Sequence, residues 1–567
     1  MNNTQLNWNE LIPEISNRVK DIDLQKFIDF HEILCKTQSN IVYGLNKLLR
    51  KKPVVHRYLI ICANENDELF KLIAEMVDKF NLFIKPKCDV NMYTKSDKPC
   101  IWRLWAEYDE LFGSLIHDKN MFNLKTGIIQ KSNRYVLILG LKSLIVKPFM
   151  WFRLKNMIIQ KRFDWLSKYK DTPLSYNIPS KKLDLKLILI GNESEILKLY
   201  SIDNYFIKFL INCEFRELYK ISNNNDIKIW CSWVHVLAKR NNLPPLSKKA
   251  WPIFIKQATR FSENQFQLPL SPSWILFRLK EAICYQLYSQ NQITDKSILQ
   301  SYLKEYHENI YYLYNNSNNY VKEGQCNIQI KGSIIGQINS LSVIDNCNYE
   351  FGDVSRITCL VYPGNGYIND IDRKSNLSGN LHTKGNYIVQ ACLMHMLDLD
   401  YPLSFSVSLV SEQSYNQIDG DSGSLTEFLV LISALSKAPI KQQISVTGSL
   451  DQFGNVQSIG GVNHKIESFF ELCLNSGELS GNQGVIIPKS NLINISLNDN
   501  VINAIKEKKF YIWGVSNVSE ASEIIIDIPS NNKLKNMINS IKYIYNDVDT
   551  LSQDNFNIFK KIKKFFS

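Results

Sequence analysis

Hydrophobic positions fall into two regimes along the 567-residue chain. In the first, short apolar runs alternate with stretches of helical spacing. Tyr58-Leu59-Ile60-Ile61 within 54–63, then 135–139, then 185–190 read as buried strands. Strands alternating with helices predict an α/β layer sheet over 1–215, after a helical lead-in of about fifty residues. Residues 216–320 read as mainly helical. Trp230, Trp233, Val236 and Leu237 share one helical face, and 251–261 and 273–288 read as further helices. Asn315-Asn316-Ser317-Asn318-Asn319 is a polar low-complexity linker and marks a boundary. Beyond it the pattern turns to strands at 326–330, 335–343 and 355–361, then a helix at 384–396 and a strand at 404–409. That order predicts an α+β domain over 321–533, followed by a tail, 534–567.

The stretch 410–467 carries the candidate chemistry. Asp419-Gly420 is a turn signal. After Ser422, the apolar residues Leu425, Phe428, Leu429, Ile432 and Leu435 recur at helical spacing and predict one buried face. Ser422 therefore stands where a turn enters a helix. There the first backbone N–H groups lack helical partners and favour negative charge. From spacing alone the residue reads first as a helix N-cap, and second as a nucleophile. A nucleophilic serine needs a base. The nearest histidine is His464, beside Lys465, which follows Ile459-Gly460-Gly461-Val462. A lysine of ordinary pKa is neutral in only about one molecule in 2,500 at neutral pH, and bringing it to ~7 takes about 4.6 kcal/mol of bias against the charged form. Burial among apolar residues can supply such a bias. Between the two sites, 443–450 reads as a strand, Asp451-Gln452-Phe453-Gly454 as a turn and 455–459 as a return strand.

Gly420-Asp421-Ser422-Gly423 also matches the GDSG of chymotrypsin-like proteases. That chemistry needs an all-β fold and an upstream histidine. Here a helix follows the serine and no such histidine occurs. A nucleophile elbow, G-x-S-x-G, fails because Ser424 stands in place of its last glycine.

Composition removes other classes. Apolar residues make up 45% and charged residues 21%, ordinary for a water-soluble globular chain. No apolar run approaches the ~20 residues that cross a bilayer. Met1-Asn2-Asn3-Thr4-Gln5 has neither a basic nor an apolar leader, so a cytoplasmic chain is expected. Twelve cysteines occur without a C-x-x-C pair, and eight histidines without H-E-x-x-H, so neither a metal nor a disulfide framework is expected. The net charge of +11 raises nucleic acid as a partner. Only 13 of the 66 basic residues are arginine, the better reader of bases and phosphates, so nucleic acid is not the expected partner.

The motifs then resemble the proteolytic domain of Lon proteases. Asp419-Gly420-Asp421-Ser422-Gly423-Ser424 is similar to their serine motif, and Gly460-Gly461-Val462-Asn463-His464-Lys465 to their lysine motif. Thr447-Gly448, Gly454 and Glu412 also match. Upstream, Gly336-Gln337-Ile338-Asn339, Phe351-Gly352-Asp353-Val354-Ser355-Arg356-Ile357-Thr358 and His382-Thr383-Lys384-Gly385 resemble the archaeal-type branch. Within it they resemble the Lon homologues that carry a degenerate AAA domain. Gly423-Ser424 departs from the family, which has Ala-Gly there. The resemblance implies an AAA-like α/β domain with a helical lid, then a Lon-type α+β proteolytic domain. It implies catalysis by Ser422 and Lys465, with Thr447 bonded to the lysine amine. His382 and Lys384 would shape the site or a subunit contact. Protein or peptide substrates and a homohexamer are implied as partners.

ATP binding is also a property of the family. Yet the run after the first strand is Asn64-Glu65-Asn66-Asp67-Glu68, with no phosphate-loop glycine or lysine, and Gly140-Leu141-Lys142 replaces the magnesium-binding acids after the second. No cofactor is therefore expected, and ATP is not expected to drive cleavage. Arg260 falls where the family carries an arginine, and reads here as a surface residue. The tail, with Lys560-Lys561 and Lys563-Lys564 among Ile558, Ile562 and Phe565, suits a weak contact with a membrane surface. Against the peptidase stands a non-enzymatic adaptor that keeps a Lon-like shell.

Overall fold

The computed structural model describes residues 4–6, 14–23, 27–50, 57–84, 100–118, 121–133, 135–165, 178–204, 210–286, 292–305, 321–346, 349–364, 368–375, 377–398, 405–413, 419–477, 479–529 and 531–544. The polar linker 315–319 and the basic tail 556–566 lie outside them. The chain divides into two compact units, each with its own sheet.

One unit comprises Asp23–Leu246 and Pro269–Glu281. Its largest sheet has five strands, all parallel, in the order Cys100–Arg103, Val136–Gly140, Lys186–Gly191, Tyr58–Cys62, Ile211–Glu214. The central strands are apolar at nearly every position because helices cover both faces of a parallel sheet. Trp230 and Trp233, on the helix Asn224–Arg240, are fully buried and donate their indole N–H groups to the carbonyls of Pro269 and Leu270 at 2.8 and 3.1 Å.

The other unit holds a seven-stranded mixed sheet. Its order is Ile368–Asp370, Phe405–Glu412, Tyr349–Pro363, Gln337–Asn346, Ile444–Val446, Gln483–Pro488, Phe510–Val515. Side chains alternate across a strand, and here they feed two cores. Ile486 joins the core under the serine helix, Ser424–Ser436, while Val485 and Ile487 join the core under the lysine helix, Val462–Asn475. The two helices thus cover opposite faces. The strand Ile444–Val446 is three residues long; past its end the Thr447 N–H still donates to the Ile486 carbonyl at 3.1 Å, and the Gly448 N–H turns to the Ser422 carbonyl.

Several elements differ from expectation. The serine helix buries eleven of its thirteen residues, not one face, because it packs on the sheet and against the helix Asn380–Leu397. Residues 327–330 are not a strand. The Asn327 N–H donates to Gln413 Oε1 at 2.8 Å and the Gln329 carbonyl accepts from Asn339 Nδ2 at 2.7 Å, so side chains take what a ladder would use. In the lead-in, Thr4–Leu6 is extended and lies on the sheet edge. The Leu6 N–H donates to the Ile512 carbonyl at 2.9 Å and the Gly514 N–H to the Thr4 carbonyl at 2.8 Å. The helix Ala250–Phe261 belongs to this unit.

Candidate active site

The serine turn is fixed from several sides. The Asp419 carboxylate accepts the Leu381 N–H at 3.0 Å, tying the turn to the start of Asn380–Leu397. The Asp421 carbonyl accepts from both the N–H and the Oγ of Ser424, at 3.1 and 2.8 Å. Ser424 Oγ in turn accepts the Leu450 N–H at 2.9 Å, and Asp421 Oδ2 accepts the Ser449 hydroxyl at 3.0 Å. The Ser422 carbonyl accepts the Gly448 N–H at 2.9 Å. The helix begins at Ser424, with Gly423 as N-cap and no side chain capping it, so Ser422 is not the cap.

Lys465 arrives from the other face of the sheet. Its helix starts at Gly461, whose φ of +64° lies in the left-handed region, and a Cβ there would stand 2.6 Å from Val343 Cγ2. Both the conformation and the close approach require glycine. Gly352 serves the same packing, since its Cβ would meet the His464 carbonyl oxygen at 2.1 Å. Deeper, Arg260 donates two bonds of 2.7 Å to Glu467, which is 1% exposed, and a third of 3.2 Å to the Ser496 carbonyl. Arg260 is therefore not a surface residue. It clamps the lysine helix one turn beyond its N-terminus.

At the junction, Lys465 Nζ lies 2.8 Å from Ser422 Oγ and 3.3 Å from Thr447 Oγ1. Thr447 Oγ1 also reaches the Ser422 carbonyl, at 3.3 Å. Lys465 is 3% exposed. Burial pushes its pKa down to about 8, against a smaller upward pull from the Asp421 carboxylate. The amine is then neutral in about one molecule in ten at neutral pH, against about one in 2,500 for an exposed lysine. His464 does not line this site. Burial first, and Arg260 second, push its imidazole down to about 4.

Ser422 and Lys465 open into a cavity of about 540 Å³ with apolar walls from Leu341, Val343 and Ile459. The same cavity is lined by acids that the sequence did not single out, Asp372 and Glu427, and by the foreseen His382. They come from three separate segments, and only the fold brings them together. Lys384 lines a different, shallower hollow with Tyr387 and Gln452.

The departure Gly423-Ser424 is accounted for locally. A Cβ on Gly423 would meet only Glu427 Oε1, at 3.6 Å, so there is room for the family's alanine. The Ser424 hydroxyl adds the link from the turn to Leu450. Among the described residues no group of acids, histidines and cysteines could hold a metal ion, and no helix is long and apolar enough to cross a membrane.

The comparisons with known proteins agree with this architecture. Residues 96–216 match the LonB-like AAA domain and residues 414–527 the Lon protease (S16) C-terminal proteolytic domain. A Lon protease homolog of Escherichia coli is 35% identical over 549 residues, covering 93% of this chain and 92% of that protein. A Lon protease homolog of Haemophilus influenzae is 34% identical over 556 residues, covering 93% and 90%. An archaeal Lon protease of Methanocaldococcus jannaschii is 47% identical over 83 residues, 15% of this chain and 12% of that protein.

Proposed function

The chain belongs to the Lon protease family of serine-type peptidases, and on that premise we propose that it hydrolyses peptide bonds with a Ser422–Lys465 dyad and without ATP hydrolysis of its own. The observation that carries this reading is the 2.8 Å approach of a buried amine to the serine hydroxyl. Ser422 Oγ attacks the scissile carbonyl carbon while its proton passes to neutral Lys465 Nζ. Backbone N–H groups of the uncapped Ser422–Gly423 turn hold the oxyanion, aided by the helix N-terminus. The ammonium then donates its proton to the leaving amine nitrogen as the C–N bond breaks, leaving an ester on Ser422. Water attacks that ester, Lys465 takes the water proton and returns it to Ser422 Oγ, and a carboxylate departs. Thr447 Oγ1 orients the amine throughout.

Loss of nucleotide chemistry is supported by the loop after Tyr58–Cys62. Glu65 Oε1 accepts the Lys142 N–H there at 3.1 Å, and burial raises its pKa. With no ATP-driven unfolding, the substrates are peptides and already unfolded chains. A homohexamer and a cytoplasmic setting accord with the family.

The test is phosphonylation of Ser422 by a serine-reactive fluorophosphonate, in which Oγ displaces fluoride from phosphorus, with the site located by mass spectrometry. The rate should rise with pH along an acid limb with its midpoint at about 8. It should fall about a thousand-fold in Lys465→Ala. Labelling that is independent of pH, or unaffected by Lys465→Ala, would remove the dyad.

A further inference from the structure

In the cavity that Lys465 lines, the serine helix carries a buried carboxylate, Glu427, that the dyad does not use. It is 2% exposed. Its Oε1 lies 3.6 Å from His382 Nδ1, while its Oε2 is buried with no hydrogen-bond partner. His382 Nε2 lies 3.5 Å from Asp370 Oδ2. Asp370 also accepts from Asn386 Nδ2 at 2.5 Å and from the Arg373 N–H at 3.2 Å. Asp372 Oδ2 accepts the Ser411 N–H at 2.9 Å, and Glu412 acts on Asp372 from the same strand. His382 is thus the single cation facing three acids, Asp370, Asp372 and Glu427, among the described groups that act on it.

Glu427 stands one helical turn after Gly423, with Oε1 at contact distance from where a Gly423 Cβ would be. The Gly423 N–H is one of the groups that would hold the oxyanion. A lone carboxylate there would oppose the negative charge that develops in the transition state. An imidazolium paired with it removes that opposition. Building on the dyad reading, we propose that His382 is a positioning residue that neutralises Glu427 beside the oxyanion site, and that loss of its proton sets the alkaline limit of cleavage.

The electrostatics agree in sign. Burial lowers the His382 pKa, but Asp370 and Glu427 outweigh it and hold it up at about 9. Burial raises Glu427 to about 7, against the pull of His382. Both are charged between those values. Above about 9 the imidazole turns neutral and leaves Glu427 as an unbalanced anion. Lys465 becomes active on rising through about 8, so cleavage should be bell-shaped, with its acid limb from Lys465 and its alkaline limb from His382.

The experiment measures kcat and KM across pH for the full chain on a fluorogenic peptide, with folding of each variant checked by thermal melting at each pH. His382→Gln should lower kcat about ten-fold or more between about pH 7 and 9, where the wild-type imidazole is charged beside an ionised Glu427, and converge on the wild type above that, with KM unchanged, because the lost interaction acts on the transition state. Glu427→Gln should keep the acid limb and lose the alkaline one. The double variant His382→Gln/Glu427→Gln should recover kcat relative to His382→Gln, since no carboxylate remains to be neutralised. A packing role for the pair would give no such recovery. Ser422→Ala separates the two readings. If it still cleaves, the dyad is wrong. If it is dead while Glu427→Gln keeps the wild-type alkaline limb, the dyad stands and the role of His382 is overturned. If peptide turnover is too slow to follow, the rate of Ser422 labelling by fluorophosphonate replaces kcat, with the same outcomes.

Discussion

Two helix entrances in this chain, one in each unit, use the same local physics to opposite ends. Every helix begins with backbone N–H groups that need an acceptor. In the unit with the parallel sheet, the strand Tyr58–Cys62 leads to the helix Asp67–Ile84. Asn66 Oδ1 takes the Leu69 N–H at 2.8 Å, and Asp67 and Glu68 place negative charge in the first turn. This entrance supplies its own anions, which on the proposed reading oppose a phosphate there. In the other unit, Gly423 enters the serine helix with no capping side chain, and Ser422, the proposed nucleophile, stands just ahead of it. There the Ser424 and Leu425 N–H groups turn to the carbonyls of Asp421 and Gly448, both at 3.1 Å, and the proposed mechanism leaves the N–H groups of Ser422 and Gly423 for the oxyanion. A helix N-terminus is therefore not a site in itself; what fills it decides between structure and chemistry.

The largest expected effect separates function from stability at the serine entrance. Lys465→Met should lower cleavage about a thousand-fold or more. Yet it should raise stability at neutral pH by roughly 2–3 kcal/mol, because the folded state holds the amine with its pKa pushed from 10.5 down to about 8. The sign follows from proton binding. Between those two values the unfolded chain binds more protons than the folded one, so wild-type stability from this group rises with pH. Below about 8 the full cost is present, and methionine removes it. Urea titration at neutral pH checks this, and a variant less stable than wild type would contradict it.

Gly461→Ala comes next. It forces a left-handed alanine and a 2.6 Å contact with Val343, so unfolding in urea should become easier by about 2–4 kcal/mol. Asn66→Ala deletes the cap of the other entrance and should cost about 1 kcal/mol, read as faster amide exchange in the first turn of Asp67–Ile84, with cleavage unchanged. Gly423→Ala should be nearly silent, within about 0.5 kcal/mol, because its Cβ meets only Glu427 at 3.6 Å. A large loss there would mean that the serine entrance is tighter than its geometry implies.

Much of this contrast was legible in the residues. The apolar runs at 54–63, 135–139 and 185–190 announce the buried strands Tyr58–Cys62, Val136–Gly140 and Lys186–Gly191, the last two within a residue and the first with its start four residues early. Ser422 and Lys465 are 43 positions apart and come from opposite faces of the sheet, yet motif resemblance names both. Other features carry no local signal. Thr4–Leu6 finds its partner about Trp513, nearly the whole chain away, and three residues have no period to read. Arg260 looks like any charged residue on an amphipathic helix until Glu467 meets it. Glu427 sits in an apolar helical pattern where only the neighbouring helix, with His382, explains a buried acid. Buried charges need partners, and those partners are tertiary.

The most direct test is cleavage of unfolded casein by the full-length wild type and by Ser422→Ala, each with and without magnesium ATP. Cleavage by the wild type at one rate in both conditions, and none by Ser422→Ala, is the predicted result. Cleavage that requires ATP would contradict the reading of the Asn66 entrance as closed to phosphate, and cleavage by Ser422→Ala would contradict Ser422 as the nucleophile.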